Sequence, residues 1–363
     1  MLLAWKDLIV ARGRFVLVGL VVTLVALLST LLSGLANGLV DDGISGMREL
    51  PFTHLSFAPG SQVSFSRSTL TDANLRPWKS LRGASVSPVG LSFVNAKRSD
   101  GSSVDLAVMG VPDDSFLITH PEGRRALAGR PGIVLTHELK AKGIKVGDRL
   151  TLRGTDTSLP VLGFTYAGSY GHVDLAFTRL DTWQSITYGS NAKGRFSAIA
   201  IRDDTLTAST LARIDHRADT ETATKTEAYA GSPGYTAETT TMSTIKSFLL
   251  VISALIVGSF FTIWTVQRTD QIGLLKALGA SNGYVLRDSL GQLAIVLTAG
   301  TSMGVAVAVG LSTLVGADVP FHLSAAPVAT TALTLLAVGM AGSLIAIRRI
   351  TRVDPAIALT AAI

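Results

Sequence analysis

Four stretches of this chain, 15–40, 247–267, 289–317 and 319–347, run without a single Asp, Glu, Lys or Arg. Each is at least as long as the roughly 20 residues that an α-helix needs to cross a bilayer. A backbone in hydrocarbon must satisfy its own hydrogen bonds, so these stretches are expected to be four transmembrane helices. Only 16% of the 363 residues are charged, against about 25% in soluble domains. The first stretch also exceeds the core of a signal peptide, roughly 7–15 residues, and is expected to be a permanent helix. Ahead of it, Leu3, Leu8 and Val10 alternate with Lys6, Asp7, Arg12 and Arg14. That pattern suits an amphipathic lead-in helix at the inner membrane surface, with Trp5 at the interface.

The net charge of +6 is not a nucleic-acid footprint, because its excess flanks the apolar stretches. Residues 41–243 hold 22 Lys/Arg against 21 Asp/Glu, whereas Lys6, Arg12, Arg14, Arg268, Lys276, Arg287, Arg348, Arg349 and Arg352 all lie beside the spans. By the positive-inside rule both termini and the loop between spans two and three are cytoplasmic. The large polar region and the short loop around Asp318 and His322 then lie outside. The organisation expected is a lead-in at 1–14, spans at 15–40, 244–267, 289–316 and 325–347, an extracytoplasmic domain and stalk at 41–243, a cytoplasmic loop at 268–288 and a cytoplasmic tail at 348–363. The fold class is thus an α-helical membrane protein with four transmembrane helices plus a mixed α/β extracytoplasmic domain. With no cysteine, disulfides, thiolate metal sites and cysteine nucleophiles are excluded.

In the outer region, short β-like runs at His54–Phe57, 62–65, 89–94, 104–108, 149–153, 161–167 and 196–201 are separated by turn residues. Residues 131–142 followed by Gly147-Asp148 predict a helix and a turn feeding a strand. The Thr/Ala/Gly/Ser-rich segment 220–241, with Ser232-Pro233-Gly234-Tyr235 as its turn, reads as a linker into the second span.

Enzyme signatures fail. The sequence has no G-x-x-x-x-G-K-[ST], so it binds no ATP through a P-loop of its own. The G-x-S-x-G at Gly300-Thr301-Ser302-Met303-Gly304 lies inside the third span, where a nucleophile elbow cannot form. It reads instead as a G-x-x-x-G helix contact, as does Gly34-Leu35-Ala36-Asn37-Gly38. There is no H-E-x-x-H, and His54, His120, His137, His172, His216 and His322 are dispersed, each read as a surface or structural residue.

The stretch 267–281, QRTDQIGLLKALGAS, follows the second span on the cytoplasmic side. Ile272, Leu275 and Leu278 fall at helical spacing, Arg268, Asp270 and Lys276 between them, and Gly279 is placed as a stop. A short amphipathic helix there must bury its apolar side, either in headgroups or in a partner protein.

This run resembles the signature of the FtsX-like permease family of ATP-binding-cassette transporters, with the acidic Asp270 displaced by one position from the usual place. Arg352-Val353-Asp354-Pro355-Ala356-Ile357-Ala358-Leu359 is similar to the family's C-terminal pattern. Val108-Met109-Gly110-Val111 and 143–152, GIKVGDRLTL, resemble stretches of MacB-like members. The resemblance implies a permease in the bacterial cytoplasmic membrane that forms a homodimer and binds two copies of a separate ATPase subunit, which carries ATP and Mg. Arg268, Asp270, Ile272, Leu275, Lys276, Leu278 and Gly279 would then form the coupling helix on that ATPase.

Pro233-Gly234-Tyr235-Thr236-Ala237-Glu238 resembles the junction of haem efflux permeases. Tyr235, Glu238, Tyr229 and Met242 are therefore the expected substrate-binding residues, and Tyr235, Glu238 and Met242 offer ligand types known for haem iron. Lys246 nearby could pair with an anionic group. The other reading of the two tyrosines is an aromatic belt at the headgroups. The expected function is export of haem or a similar amphipathic toxic compound. The alternatives are a mechanotransmission scaffold that regulates an outside hydrolase, or export of a peptide or antibiotic. A membrane-anchored enzyme is disfavoured by the lack of a catalytic constellation.

Overall fold

Strands buried on both faces dominate the centre of the chain, and long apolar helices dominate the rest. The computed structural model describes residues 12–154, 157–166, 168–267, 273–274, 278–316 and 319–347. The greater part of the lead-in (1–11), Arg268, Asp270, Ile272, Leu275 and Lys276 of the expected coupling helix, and the tail at 348–363 lie outside them. The chain divides into two units, Leu39–Glu238 (the α/β unit) and Met1–Gly38 with Thr239–Ile363 (the helical unit).

The strands of the α/β unit are β1 His54–Phe57, β2 Leu70–Thr71, β3 Ser85–Lys97, β4 Ser103–Val111, β5 Ile133–Thr136, β6 Arg149–Leu152, β7 Ser158–Thr165, β8 Ser169–Tyr170, β9 Val173–Arg179, β10 Arg195–Phe196, β11 Ala198–Arg202 and β12 Glu221–Thr224. Ten of them form one sheet in the order β12-β1-β11-β3-β4-β9-β5-β7-β6, with β8 paired to β9, while β10 pairs with β2. The long β3 shares one edge between two partners, β11 at Ser85–Val89 and β6 at Ala96 and Lys97. Through the second pairing the portion β3-β4-β9-β5-β7-β6 closes on itself, which leaves β6 without a free edge, while β12 ends the β12-β1-β11 arm.

Alternate residues enter two separate cores. On β4, Leu106 and Val108 join one core and Ala107, Met109 and Val111 the other; on β11, Ile199 and Ile201 oppose Ala198 and Ala200. Strands buried on both faces read as continuous apolar runs rather than alternating ones. That explains one correction. Within 131–142, expected as a helix, Ile133–Thr136 is a fully buried strand and the helix is only His137–Ala141, because a short apolar run carries no period to decide between the two.

Three other expectations need correction. Residues 62–65 are not a strand: Gln62 and Val63 both take positive φ, 55° and 53°, and Phe65 begins a 3-10 turn whose ring packs 5.2 Å from Phe57. The run 196–201 is interrupted at Ser197, so that Arg195–Phe196 pairs with β2 and Ala198–Arg202 with β1 and β3. The segment 220–241 is not a loose linker: it holds β12, the helix Lys225–Ala228 with a Thr224/Glu227 capping box, and the first turns of a long helix.

Among the described residues, four helices are long and apolar enough to cross a membrane. They are α1 Arg12–Glu49, α2 Tyr235–Gln267, α3 Asn282–Ser312 and α4 Ala325–Ile347. α1 continues beyond the expected end of span one at 40, α2 begins ahead of the expected start at 244, and α3 begins inside the expected loop 268–288. In the helical unit Phe15, Val18 and Val22 of α1 pack with Val257 of α2 and with Leu293, Val296 and Leu297 of α3. The Gly300/Gly304 pair does what small residues at this spacing allow: a Cβ on Gly304 would stand 2.5 Å from the Thr23 carbonyl oxygen, and one on Gly300 would stand 3.0 Å from that of Gly19. The Gly34/Gly38 pair differs from the expected helix contact, since Phe321 and the Pro320 backbone fill the space.

Candidate functional site

The Gly171-His172 turn joins β8 to β9 as a two-residue hairpin, with both residues at positive φ, 60° and 64°. Two positive φ values match the twist of paired strands, and His is among the side chains that tolerate this conformation. The turn carries the His172 ring between two carboxylates. Nδ1 lies 2.9 Å from Asp42 Oδ2 and Nε2 lies 3.0 Å from Glu238 Oε1. Asp42 belongs to the last turns of α1 and Glu238 to the first turn of α2. Burial opposes charge on His172, but the hydrogen bonds and negative charges of Asp42 and Glu238 outweigh it and raise its pKa above the ordinary value. The cause is geometric: only the imidazolium donates from both nitrogens, while a neutral ring donates from one.

Neighbouring contacts hold the same turn. The backbone N–H of Gly171 donates to the Gly43 carbonyl at 2.9 Å, and the Ser232 hydroxyl donates to that same oxygen at 2.8 Å. The backbone N–H of Ser169 donates to Ser45 Oγ at 3.0 Å, and the Tyr170 hydroxyl to the Gly231 carbonyl at 2.9 Å. Beside the hairpin a cavity of about 440 Å³ is lined by Phe65, Phe93, Tyr170, Trp183 and Tyr188 with several serines. The Phe93 and Tyr170 rings stack at 5.9 Å.

The expected substrate residues are brought together in part. Tyr229 and Tyr235 meet edge to face at 6.2 Å, and Tyr235 and Glu238 share the first turn of α2. Glu238 is engaged by His172, a partner the sequence reading missed. Met242 falls in the helical unit. Asp42 and Glu238 approach opposite nitrogens of one ring, so the three side chains do not converge on a point. Among the described residues no group of three or more His, Asp or Glu is placed to hold a metal ion. Gly171 leaves a local trace of the turn, but nothing local pairs His172 with Asp42 or Glu238, which lie 130 and 66 residues away.

Of the expected coupling residues, Leu278 and Gly279 are described. Leu278 is 77% exposed, its N–H donates to the Leu274 carbonyl at 3.0 Å, and Gly279 takes φ 94° as the stop. This is how a glycine ends a helical turn.

Residues 244–355 match the FtsX-like permease C-terminal family. The chain is 25% identical over 223 residues, 61% of its own length and 61% of the relative's, to a Staphylococcus epidermidis protein named as a hemin transport system permease protein, HrtB. It is 23% identical over 357 residues, 97% of each chain, to the protein of that name in Staphylococcus haemolyticus. The crystal structure of the periplasmic region of MacB from Actinobacillus actinomycetemcomitans aligns with a TM-score of 0.35 at 13% identity, covering 50% of this chain and 92% of that one.

Proposed function

We propose that this chain, which carries an FtsX-like permease domain over residues 244–355, is the membrane subunit of an ATP-driven exporter of haem or a similar amphipathic compound. The family match carries the reading, and the names of relatives aligned over 61% and 97% of their lengths support haem as the substrate class. In this reading the ATPase is a separate subunit, two copies serving a permease homodimer in the bacterial cytoplasmic membrane, with both termini inside. Its docking element is the segment that ends at the exposed Leu278. On the other side, Tyr229, Tyr235 and Glu238 form the haem-facing group, Met242 on the following turn of α2 is a further candidate ligand, and the His172 bridge orients the Glu238 carboxylate.

Two measurements test this reading. Haem-stimulated ATP hydrolysis is followed after co-expression with the candidate ATPase, where Leu278→Asp is expected to abolish co-purification, since an unpaired buried charge costs several kcal/mol. Haem titration of the Tyr235→Ala, Glu238→Ala double variant is expected to lose the wild-type Soret shift. Identical spectra and affinities would remove haem from this site, and recovery of a wall hydrolase in place of an ATPase would favour the scaffold reading.

A further inference from the structure

The helical unit contains a cavity of about 450 Å³ whose walls come from α1, α2 and α4, within the roughly 300–1,000 Å³ range of small-molecule sites. Its lining is unusual for an apolar helix bundle. Ser29 and Ser33 of α1 face Thr330 and Thr331 of α4, and Lys246 of α2 enters from the third side. Ser33 Oγ and Thr331 Oγ1 share a hydrogen bond of 3.2 Å. Ser29 is 3% exposed, and its hydroxyl has no hydrogen-bond partner among the described residues. Lys246 has no Asp or Glu within salt-bridge distance among the described residues. An ionisable side chain within a membrane-spanning helix is costly and marks a ligand or ion site by default. A buried hydroxyl left without a partner is a second cost at the same place.

We infer that this cavity is a binding site for an amphiphile with one acidic group. The head accepts a charge-assisted hydrogen bond from the Lys246 ammonium and a second from the Ser29 hydroxyl, and the apolar body lies against Leu250 and Pro327. All these residues belong to the helical unit, whereas Tyr229, Tyr235 and Glu238 belong to the α/β unit. The site therefore stands whether or not haem is the exported compound. The acidic head can come from an acidic membrane lipid or from a free carboxylate amphiphile.

The test uses the full chain in phosphatidylcholine nanodiscs and a photoreactive diazirine fatty acid, with labelled peptides mapped by mass spectrometry. Labelling is expected on the peptides that contain Leu250 and Pro327, at least tenfold weaker in Lys246→Met and close to wild type in Lys246→Arg. The methyl ester of the probe is expected to label wild type as weakly as the acid labels Lys246→Met. Ser29→Ala, a smaller change that leaves helix contacts intact, is expected to weaken labelling severalfold. Competition by phosphatidylglycerol added to the discs, in wild type alone, assigns the site to a lipid headgroup; no competition, with the Lys246 dependence kept, assigns it to free carboxylate amphiphiles. Equal labelling of wild type and Lys246→Met, or of acid and ester, overturns the inference, and the haem titration of the Tyr235, Glu238 double variant is unaffected by that result.

Discussion

Trp183 is 1% exposed and Leu20 is 57% exposed, and the contrast runs through the two units to which they belong. In the α/β unit the Trp183 indole lies on a glycine pad, where a Cβ on Gly90 or Gly110 would come within 2.2 or 2.3 Å, and its Nε1–H donates to Ser92 Oγ at 3.0 Å. In the helical unit Val16, Leu17, Leu20, Leu24 and Leu28 leave one face of α1 exposed, while Val18, Val22, Val25 and Ala26 bury another. In water such an exposed stripe marks an interaction surface; in lipid it is the expected outer face. Lipid tails are as apolar as leucine, so burial gives no advantage there and close fit decides which helices pair. The α/β unit is held by volume that fills a core, the helical unit by volume withheld at helix contacts.

Removing volume from the first unit is expected to have the largest effect. Trp183→Ala should cost about 3–5 kcal/mol, read as loss of hydrogen-exchange protection in β3 and β4; protection at wild-type levels would show that the glycine pad is not a core element. Adding volume to the second comes next. Gly304→Val should cost roughly 1–3 kcal/mol through overpacking, read as a lowered melting temperature in nanodiscs. Gly310→Ala on the same helix, where a Cβ meets nothing within 4 Å, should stay within about 0.5 kcal/mol. If the two glycines responded alike, close packing would not be what joins α1 and α3.

The smallest effect is expected at the Asp42–His172–Glu238 bridge. Its side chains are 43%, 30% and 26% exposed, so solvent screens the pairs and His172→Gln should cost about 1 kcal/mol or less. The sign of its pH dependence is fixed. The folded state raises the His172 pKa, so the stabilisation is complete below the unfolded value, about 6.5, and is lost as pH rises through the raised folded value. The gap in melting temperature between wild type and His172→Gln should therefore be wider at pH 6 than at pH 9. A gap that does not change with pH would make the bridge a neutral hydrogen bond.

The helices were legible because charge-free length needs no tertiary information, and Gly300 and Gly304 because small residues four apart lie on one helix face. Strands such as His54–Phe57 and the β4 core were legible from their β-branched and apolar content. The Ile133–Thr136 strand was not, since a strand buried on both faces lacks alternation. Tyr229, Tyr235 and Glu238 could be named from a local resemblance, but their neighbours His172 and Asp42 could not. Those two are 130 residues apart in the chain, and nothing local in either marks the other.

The sequence by itself determined that four helices are membrane-long, that a charge-balanced region lies between the first two, and that no P-loop is present, because each of these is a property of contiguous residues. The tertiary structure decided that the sheet closes through β3 and β6, that His172 bridges α1 and α2, and that Lys246 shares a cavity with Ser29 and Ser33. Those features depend on which distant segments meet, and that is set by cooperative packing of two cores and by the shape of glycine-lined contacts. Local propensity and spacing carry no record of either.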